Sequence, residues 1–290
     1  MTIHVFVTDV REVVSSFYSR PTIEGAGVRL KRALGPGETK LADPFLLLDD
    51  FHSEDPNDYV AGFPWHPHRG IETVTYMIDG IVEHGDSIGN KGAIRSGDVQ
   101  WMTAGGGILH QEMPQPFDGM FRGFQLWVNL PASDKMMMPR YRDVNSSQIP
   151  SHSPQKGVDV KVIAGSSNGV IGPVKNLVVE VEYLEVSLAP NKTFSHGVKR
   201  GNTALAYLFD GSARFSPNAK SEAGVEEVIV YGAGSEVEVR TTKSKARFIL
   251  ISGTPLREPI AWGGPIVMNT QAELDRAFEE LRTGKFIKRP

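Results

Sequence analysis

Four residues in the first half of the chain carry the clearest chemistry. His66 and His68 are two apart, so on an extended segment both imidazoles project from one face. His110 and Glu112 repeat that spacing and also share a face. If the two segments are neighbouring strands facing inward, three imidazoles and one carboxylate converge. That donor set suits a divalent transition metal with open positions: imidazole serves iron, zinc, copper and nickel, and a carboxylate adds hard character. The chain has no cysteine. Disulfides, thiolate zinc sites, iron–sulfur clusters and thiol catalysis are therefore excluded, and a catalytic or substrate-binding metal outranks a structural one. A lone His-x-His arises by chance, and five further histidines (His4, His52, His84, His152, His196) are spread along the chain. The weight lies in the pattern around the four.

Other polar features carry less. Arg69 is read as a contact to an anionic substrate or as a surface cation. Trp65, Met77, Trp101 and Gln125 line a pocket or, for the aromatics, pack in a core. Gly105–Gly106–Gly107 suggests a phosphate cradle, but no Gly-Lys-Ser/Thr follows, so a tight turn ahead of His110 is preferred. Met136–Met137–Met138 is read as gap-filling at a domain junction, and Lys285–Arg289 as a solvated basic tail.

Elements that could position such a cluster are mostly strands. The 290 residues suggest two domains. Thirty glycines and nineteen prolines spread along the chain imply many turns between short segments, an all-β signature. Leu46–Leu48, Thr73–Ile78, Asp98–Met102, Phe124–Leu130, Val178–Val186, Leu205–Phe209, Glu226–Tyr231, Glu236–Thr241 and Arg247–Ser252 read as strands, with Asp79–Gly80 as a hairpin turn. Asn191–His196 reads as a polar turn. Gln271–Thr283 is a helix: Leu274, Ala277, Phe278 and Leu281 form one stripe, Thr270 with Glu273 fits a capping box, and Gly284 a stop. The linker is placed around Lys135–Pro139 and Asn145–Gly157, giving domains 1–145 and 146–290. A net charge of −3 argues against nucleic acid or an anionic membrane as an obligatory partner. No apolar run approaches a membrane span. MTIHVFVTDVREVV lacks the features of a signal peptide, so a cytoplasmic protein is expected; a monomer is expected as well.

The chain also repeats itself. Glu72–Gly80 aligns without gaps to Thr203–Gly211, with Tyr76/Tyr207, Asp79/Asp210 and Gly80/Gly211 identical and every other apolar position kept apolar. Extending that register places His66 on Gly197, His68 on Lys199 and Glu72 on Thr203. Pairing Gly97 with Gly234 and counting thirteen residues places His110 on Arg247. The second copy keeps the scaffold and lacks the polar cluster, so function is expected in the first.

The pattern Gly62–x3–His66–x–His68–x3–Glu72–x7–Gly80, followed by Gly97–x9–Gly107–x2–His110, resembles the two motifs of the cupin superfamily, small β-barrels that hold a metal among three histidines and a glutamate. Phe63–Tyr76, Asp98–Pro114, Leu126–Pro131, Pro255–Pro259 and Gly264–Asn269 resemble the pirin family more specifically, over most of the chain and loosely around 191–201 and 212–224. The resemblance implies a bicupin, two antiparallel β-barrels of cupin/jelly-roll type with a short C-terminal helix, a metal site in the first barrel only, and terminal segments that cross to the opposite domain. Ordinary cupins would use Glu72 as the carboxylate ligand and pirins Glu112. The same-face relation to His110 independently favours Glu112, leaving Glu72 an orienting, channel or alternative base role. Resemblance to pirins implies quercetin 2,3-dioxygenase activity on a flavonol with O2. The metal would be Fe(II), with Mn, Co, Ni, Cu or Zn compatible, and Glu112, or else Glu72, would accept the substrate proton. The alternative it implies is a metal-binding regulator acting through protein partners.

Overall fold

Alternation of buried and exposed positions along extended segments organises most of the chain. The computed structural model describes residues 9–287; the first eight residues and Lys288–Arg289 of the basic tail lie outside the described residues. Two units result, each with a seven-stranded antiparallel sheet.

The first unit comprises Ser19–Ile149, Asn176–Val179 and the chain from Leu256 onward. Its large sheet runs in the order Arg140–Val144, Val99–Thr103, Ile71–Asp79, Phe121–Asn129, Phe45–Ser53, Val28–Leu34, Arg20–Glu24. A four-stranded sheet, Phe63–His68, Ile108–Pro114, Ile81–Asp86, Lys91–Arg95, completes the barrel. The second unit comprises the chain up to Tyr18, Pro150–Lys175 and Glu180–Pro255. Its large sheet repeats the arrangement: Val13–Tyr18, Glu227–Tyr231, Thr203–Gly211, Ala246–Gly253, Val181–Leu188, Val158–Ala164, Ser151–Gln155. Thr193–Gly197 pairs with Glu236–Arg240 across the barrel.

The units are thus not a single cut at 145/146. The chain changes unit at Ile149/Pro150, and each terminal segment belongs to the unit formed by the opposite half of the sequence. The reason is strand pairing: Val13–Tyr18 supplies an edge strand to Glu227–Tyr231. Gln271–Arg282 is the longer of two α-helices among the described residues, and its Thr270/Glu273 capping box forms as expected. Its Leu274 and Ala277 are buried against Ile266, Met268 and Phe286, while Phe278 is exposed. Among the described residues no helix is long and apolar enough to cross a membrane.

Two local readings change. Asp79–Gly80 is not a hairpin turn, because the strands on either side belong to different sheets. Gly80 turns a corner at φ +116, where a Cβ would meet the Phe121 ring at 2.4 Å. Asn191–His196 is not a turn throughout. From Thr193 it is strand, with Phe194 and His196 inward.

The repeat register changes as well. The second copy has one extra residue between Val198 and Thr203, compared with His68 to Glu72. The strand that pairs with Thr193–Gly197 is Glu236–Arg240, so Gly234 corresponds to Gly107 and not to Gly97. Both glycines sit at strongly positive φ, +135 and +148. His66 therefore corresponds to His196, His68 to Val198, His110 to Val237 and Glu112 to Val239. Arg247 lies on the strand equivalent to Phe121–Asn129.

A candidate metal centre in the first barrel

His66 and His68 lie on Phe63–His68, His110 and Glu112 on the adjacent antiparallel strand, and His110 stands directly opposite His66. Plain alternation along this strand, whose every second residue is buried, turns both His110 and Glu112 inward, while the register irregularity beside them adds its extra residue to the Phe63–His68 strand. The result is one group of ligand atoms, from His66, His68 and His110, all within 4.8 Å of one another. Glu112 Oε2 is 4.0 Å from His110 Nε2.

Hydrogen bonds from behind set the imidazole tautomers. His66 Nδ1 faces the Pro64 carbonyl at 2.9 Å and His68 Nδ1 faces the Pro265 carbonyl at 3.1 Å. A carbonyl only accepts, so each Nδ1 carries the proton and each Nε2 presents a lone pair. The two Nε2 atoms are 3.1 Å apart. Two lone pairs at that separation repel unless a cation lies against both. A proton is disfavoured there: burial lowers the pKa of His66, and burial followed by the neighbouring imidazoles holds His68 and His110 well below the usual histidine range. His110 is buried with no hydrogen-bond partner at either ring nitrogen among the described residues. An orphaned imidazole beside two converging lone pairs fits a divalent metal.

Burial pushes the Glu112 carboxyl up to about 7, opposed by the Thr75 hydroxyl. Thr75 Oγ1 lies 2.8 Å from Glu112 Oε1 and 2.7 Å from Gln125 Oε1. One hydroxyl proton cannot serve both acceptors. With Glu112 ionised, the Gln125 amide must turn its NH2 to Thr75; with Glu112 protonated, Thr75 accepts from it and donates to Gln125.

Glu72 is not brought to the imidazoles. Strand alternation points it to the sheet face opposite Thr75, where it accepts from Trp101 Nε1 at 2.9 Å and Thr103 Oγ1 at 2.6 Å, with Arg140 4.0 Å away. That geometry leaves it no role as base or as orienter of a ligand imidazole. Arg69 is neither a substrate contact nor a surface cation: it is buried, ion-paired with Glu280, bonded to the Phe286 carbonyl and stacked over the Phe286 ring. The glycine triplet is a tight turn. At Gly105, with φ +49, a Cβ would strike the Met137 carbonyl at 2.2 Å. The methionine triplet packs by its backbone, with Met136 and Met138 half exposed rather than filling gaps.

The centre opens onto a cavity of about 670 Å³ within the first unit, lined by His66, His68, Thr75, Glu112 and Gln125 among polar groups, and by Phe51, Phe121, Trp127 and Trp262 among aromatics. Gln125 lines it as expected. Met77 and Trp101 are fully buried core residues, and Trp65 is exposed. Thr75 and the two lining tryptophans were not singled out as pocket residues from sequence. For Thr75 a signal existed, since the repeat replaces it with Ala206.

Comparison with known proteins agrees with this architecture. The Pirin family profile matches residues 27–128, and the profile for the pirin C-terminal cupin domain matches 183–287. A pirin-like protein of Caulobacter vibrioides is 42% identical over 96% of this chain and 99% of its own length. A Pseudomonas aeruginosa protein provisionally named quercetin 2,3-dioxygenase is 40% identical, with the same two coverages. The crystal structure of an Acinetobacter baumannii quercetin 2,3-dioxygenase superposes with a TM-score of 0.89 at 31% identity, covering 96% of this chain and 98% of that one.

Proposed function

This chain belongs to the pirin family of bicupins, and from that premise we propose that it is a metal-dependent dioxygenase that opens the ring of quercetin or a related flavonol with O2. The observation that carries this reading is the convergence of His66, His68, His110 and Glu112 at an aromatic-walled cavity of small-molecule size. The names of relatives at about 40% identity support it. His66, His68, His110 and Glu112 would hold a divalent metal, for which we propose Fe(II). Such a metal, when bound, supplies Lewis-acid and O2 chemistry and makes a flavonol 3-hydroxyl more acidic.

The chain's own residues supply the rest. Pro64 and Pro265 carbonyls fix the His66 and His68 tautomers, so both present Nε2 without reorganisation. Glu112, held near neutrality by burial, accepts the 3-hydroxyl proton, and Thr75 with Gln125 steadies the carboxyl in either protonation state. Trp127 and Trp262, 5.9 Å apart between ring centroids, give a flat ring an apolar wall and keep water from it. The overall reaction adds both oxygen atoms of O2 to the flavonol, which leaves as a ring-opened ester and carbon monoxide.

Oxygen uptake with quercetin tests the reading, using protein stripped of metal and reloaded anaerobically with Fe(II), beside a His66→Ala variant. Uptake in the wild type and none in the variant is expected. No uptake with metal demonstrably bound would overturn it and turn the search toward protein partners.

A further inference from the structure

One row of side chains on the cavity wall is not used by the chemistry above beyond its first two members. Thr75, Gln125, Asp49 and Arg32 occupy directly opposed positions on four successive strands of the large sheet. All four line the cavity. At about 4.8 Å per strand, Asp49 stands about 10 Å from Thr75 along the row and Arg32 about 14 Å. The near end is tied to Glu112 through Thr75. At the far end Arg32 forks Asp49, with Nε to Oδ1 at 2.9 Å and Nη2 to Oδ2 at 2.8 Å, and its Nη1 meets Glu24 Oε1 at 2.9 Å.

The fold does not require this row to be polar. The same four register positions in the second barrel are Ala206, Leu250, Leu184 and Val162, all buried in its apolar core. Polar groups placed where the repeat accepts aliphatic ones carry a desolvation penalty without a structural need. They persist here on a cavity wall, where a ligand can use them.

Their chemistry says what ligand group fits. Burial raises Asp49 and Arg32 opposes it, leaving it at about 6 and ionised at neutral pH. Two carboxylates therefore face one guanidinium, and an anionic group meets net repulsion. Each Asp49 oxygen retains acceptor capacity, and Arg32 retains N–H donors outside its two ion pairs. A neutral hydroxyl, which both donates and accepts, satisfies this end.

We propose that Gln125, Asp49 and Arg32 form a specificity ladder selecting substrates that carry uncharged hydroxyl groups at the end remote from the metal-binding unit. The proposal rests on the flavonol reading and names what that substrate must present at its far end.

The test is calorimetric titration under nitrogen of the Fe(II)-loaded protein, so that binding is read apart from turnover. The probes are quercetin and 3-hydroxyflavone, which keeps the metal-binding 3-hydroxy-4-carbonyl unit and lacks every other hydroxyl. The wild type should bind quercetin at least about tenfold more tightly, the effect of one hydrogen bond to a charged group. Asp49→Asn should cut that ratio about tenfold, and Gln125→Leu should cut it severalfold. General damage to the barrel lowers both affinities alike and leaves the ratio standing, so the ratio is the readout. An unchanged ratio in both variants overturns the ladder and leaves the flavonol reading intact. Failure of the loaded wild type to bind either flavonol strikes the flavonol reading itself.

Discussion

The two barrels share strand order and register, yet treat their interiors in opposite ways. Where the first places His68, His110 and Glu112, the second places Val198, Val237 and Val239, all buried in its core. Where the first runs Thr75–Gln125–Asp49–Arg32 across its sheet, the second runs Ala206–Leu250–Leu184–Val162. One histidine survives in the second barrel. His196, equivalent to His66, lies 3.5 Å from both Ser167 Oγ and Glu182 Oε2. His196 aside, the second barrel fills the equivalent positions with apolar packing. The first retains the orphaned His110 imidazole and buried carboxyls that each work against stability, and the difference marks where function is kept.

The largest test turns one barrel into the other. His110→Val copies Val237. Losing a group that merely hydrogen-bonds a metal ligand already costs about 10–100-fold in affinity, so removing a proposed ligand should lower metal affinity by more than about a hundredfold. The same change removes two buried, unpartnered ring nitrogens, so the metal-free protein should gain roughly 1–3 kcal/mol. Metal titration and urea unfolding read the two effects separately. Weaker binding with no gain in stability would mean that His110 is satisfied in a way the comparison misses.

The reverse exchange should do only harm. Val237→His puts an imidazole into the apolar cluster that holds Val239, Phe194 and Phe248, at the strand position directly opposite His196. Overpacking and the burial of a second polar ring against His196 should together cost about 3 kcal/mol, read as a lower urea midpoint. A neutral outcome would show that the second barrel can also open to admit a polar group.

Much of this contrast was legible in the amino-acid sequence, for physical reasons. Histidines two apart on one strand must share a face, and His110 with Glu112 obeys the same period, so their convergence needed only that the strands be neighbours. The repeat was visible because Tyr76, Asp79 and Gly80 recur with their apolar neighbours. Its register away from that stretch was not, since a one-residue insertion ahead of it shifts the histidines, the glycine that opens the later strand is Gly107 and not Gly97, and strand pairing alone restores both. That error hid His196 as the partner of His66. Glu72 was misjudged because a motif spacing gives proximity in sequence and not the face of the sheet. Asp49 and Arg32 could not be joined to Thr75 and Gln125 from sequence, because a row across four strands combines residues with no sequence relation to one another.

A smaller effect follows from the carboxyl pushed up to about 7. The three imidazoles are held below the usual histidine range and are neutral at pH 7. Metal binding then releases one proton, from Glu112, below its pKa. Affinity should rise with pH, by up to about tenfold per unit, and flatten above about 7. The slope is positive because raising the pH frees the carboxylate that the metal would use. Glu112→Gln should bind more weakly and nearly without slope. A steep slope that survives in Glu112→Gln would move the titrating proton to an imidazole and remove Glu112 from the ligand set.

The finest test separates the hydroxyl from the carboxyl. Thr75→Ala copies Ala206 and deletes the bond that draws the Glu112 pKa down against burial. With burial unopposed, the pKa should climb further, by about one unit if the bond is of ordinary charge-assisted strength. The metal-affinity profile should shift by the same amount to higher pH. Variant and wild type then differ severalfold at pH 7 and converge by about pH 9. Thr75→Ser keeps the hydroxyl and should keep the wild-type midpoint. If Ala and Ser shift alike, the methyl group and its packing set the midpoint, and the hydroxyl that distinguishes this barrel from its repeat has no electrostatic role at the centre.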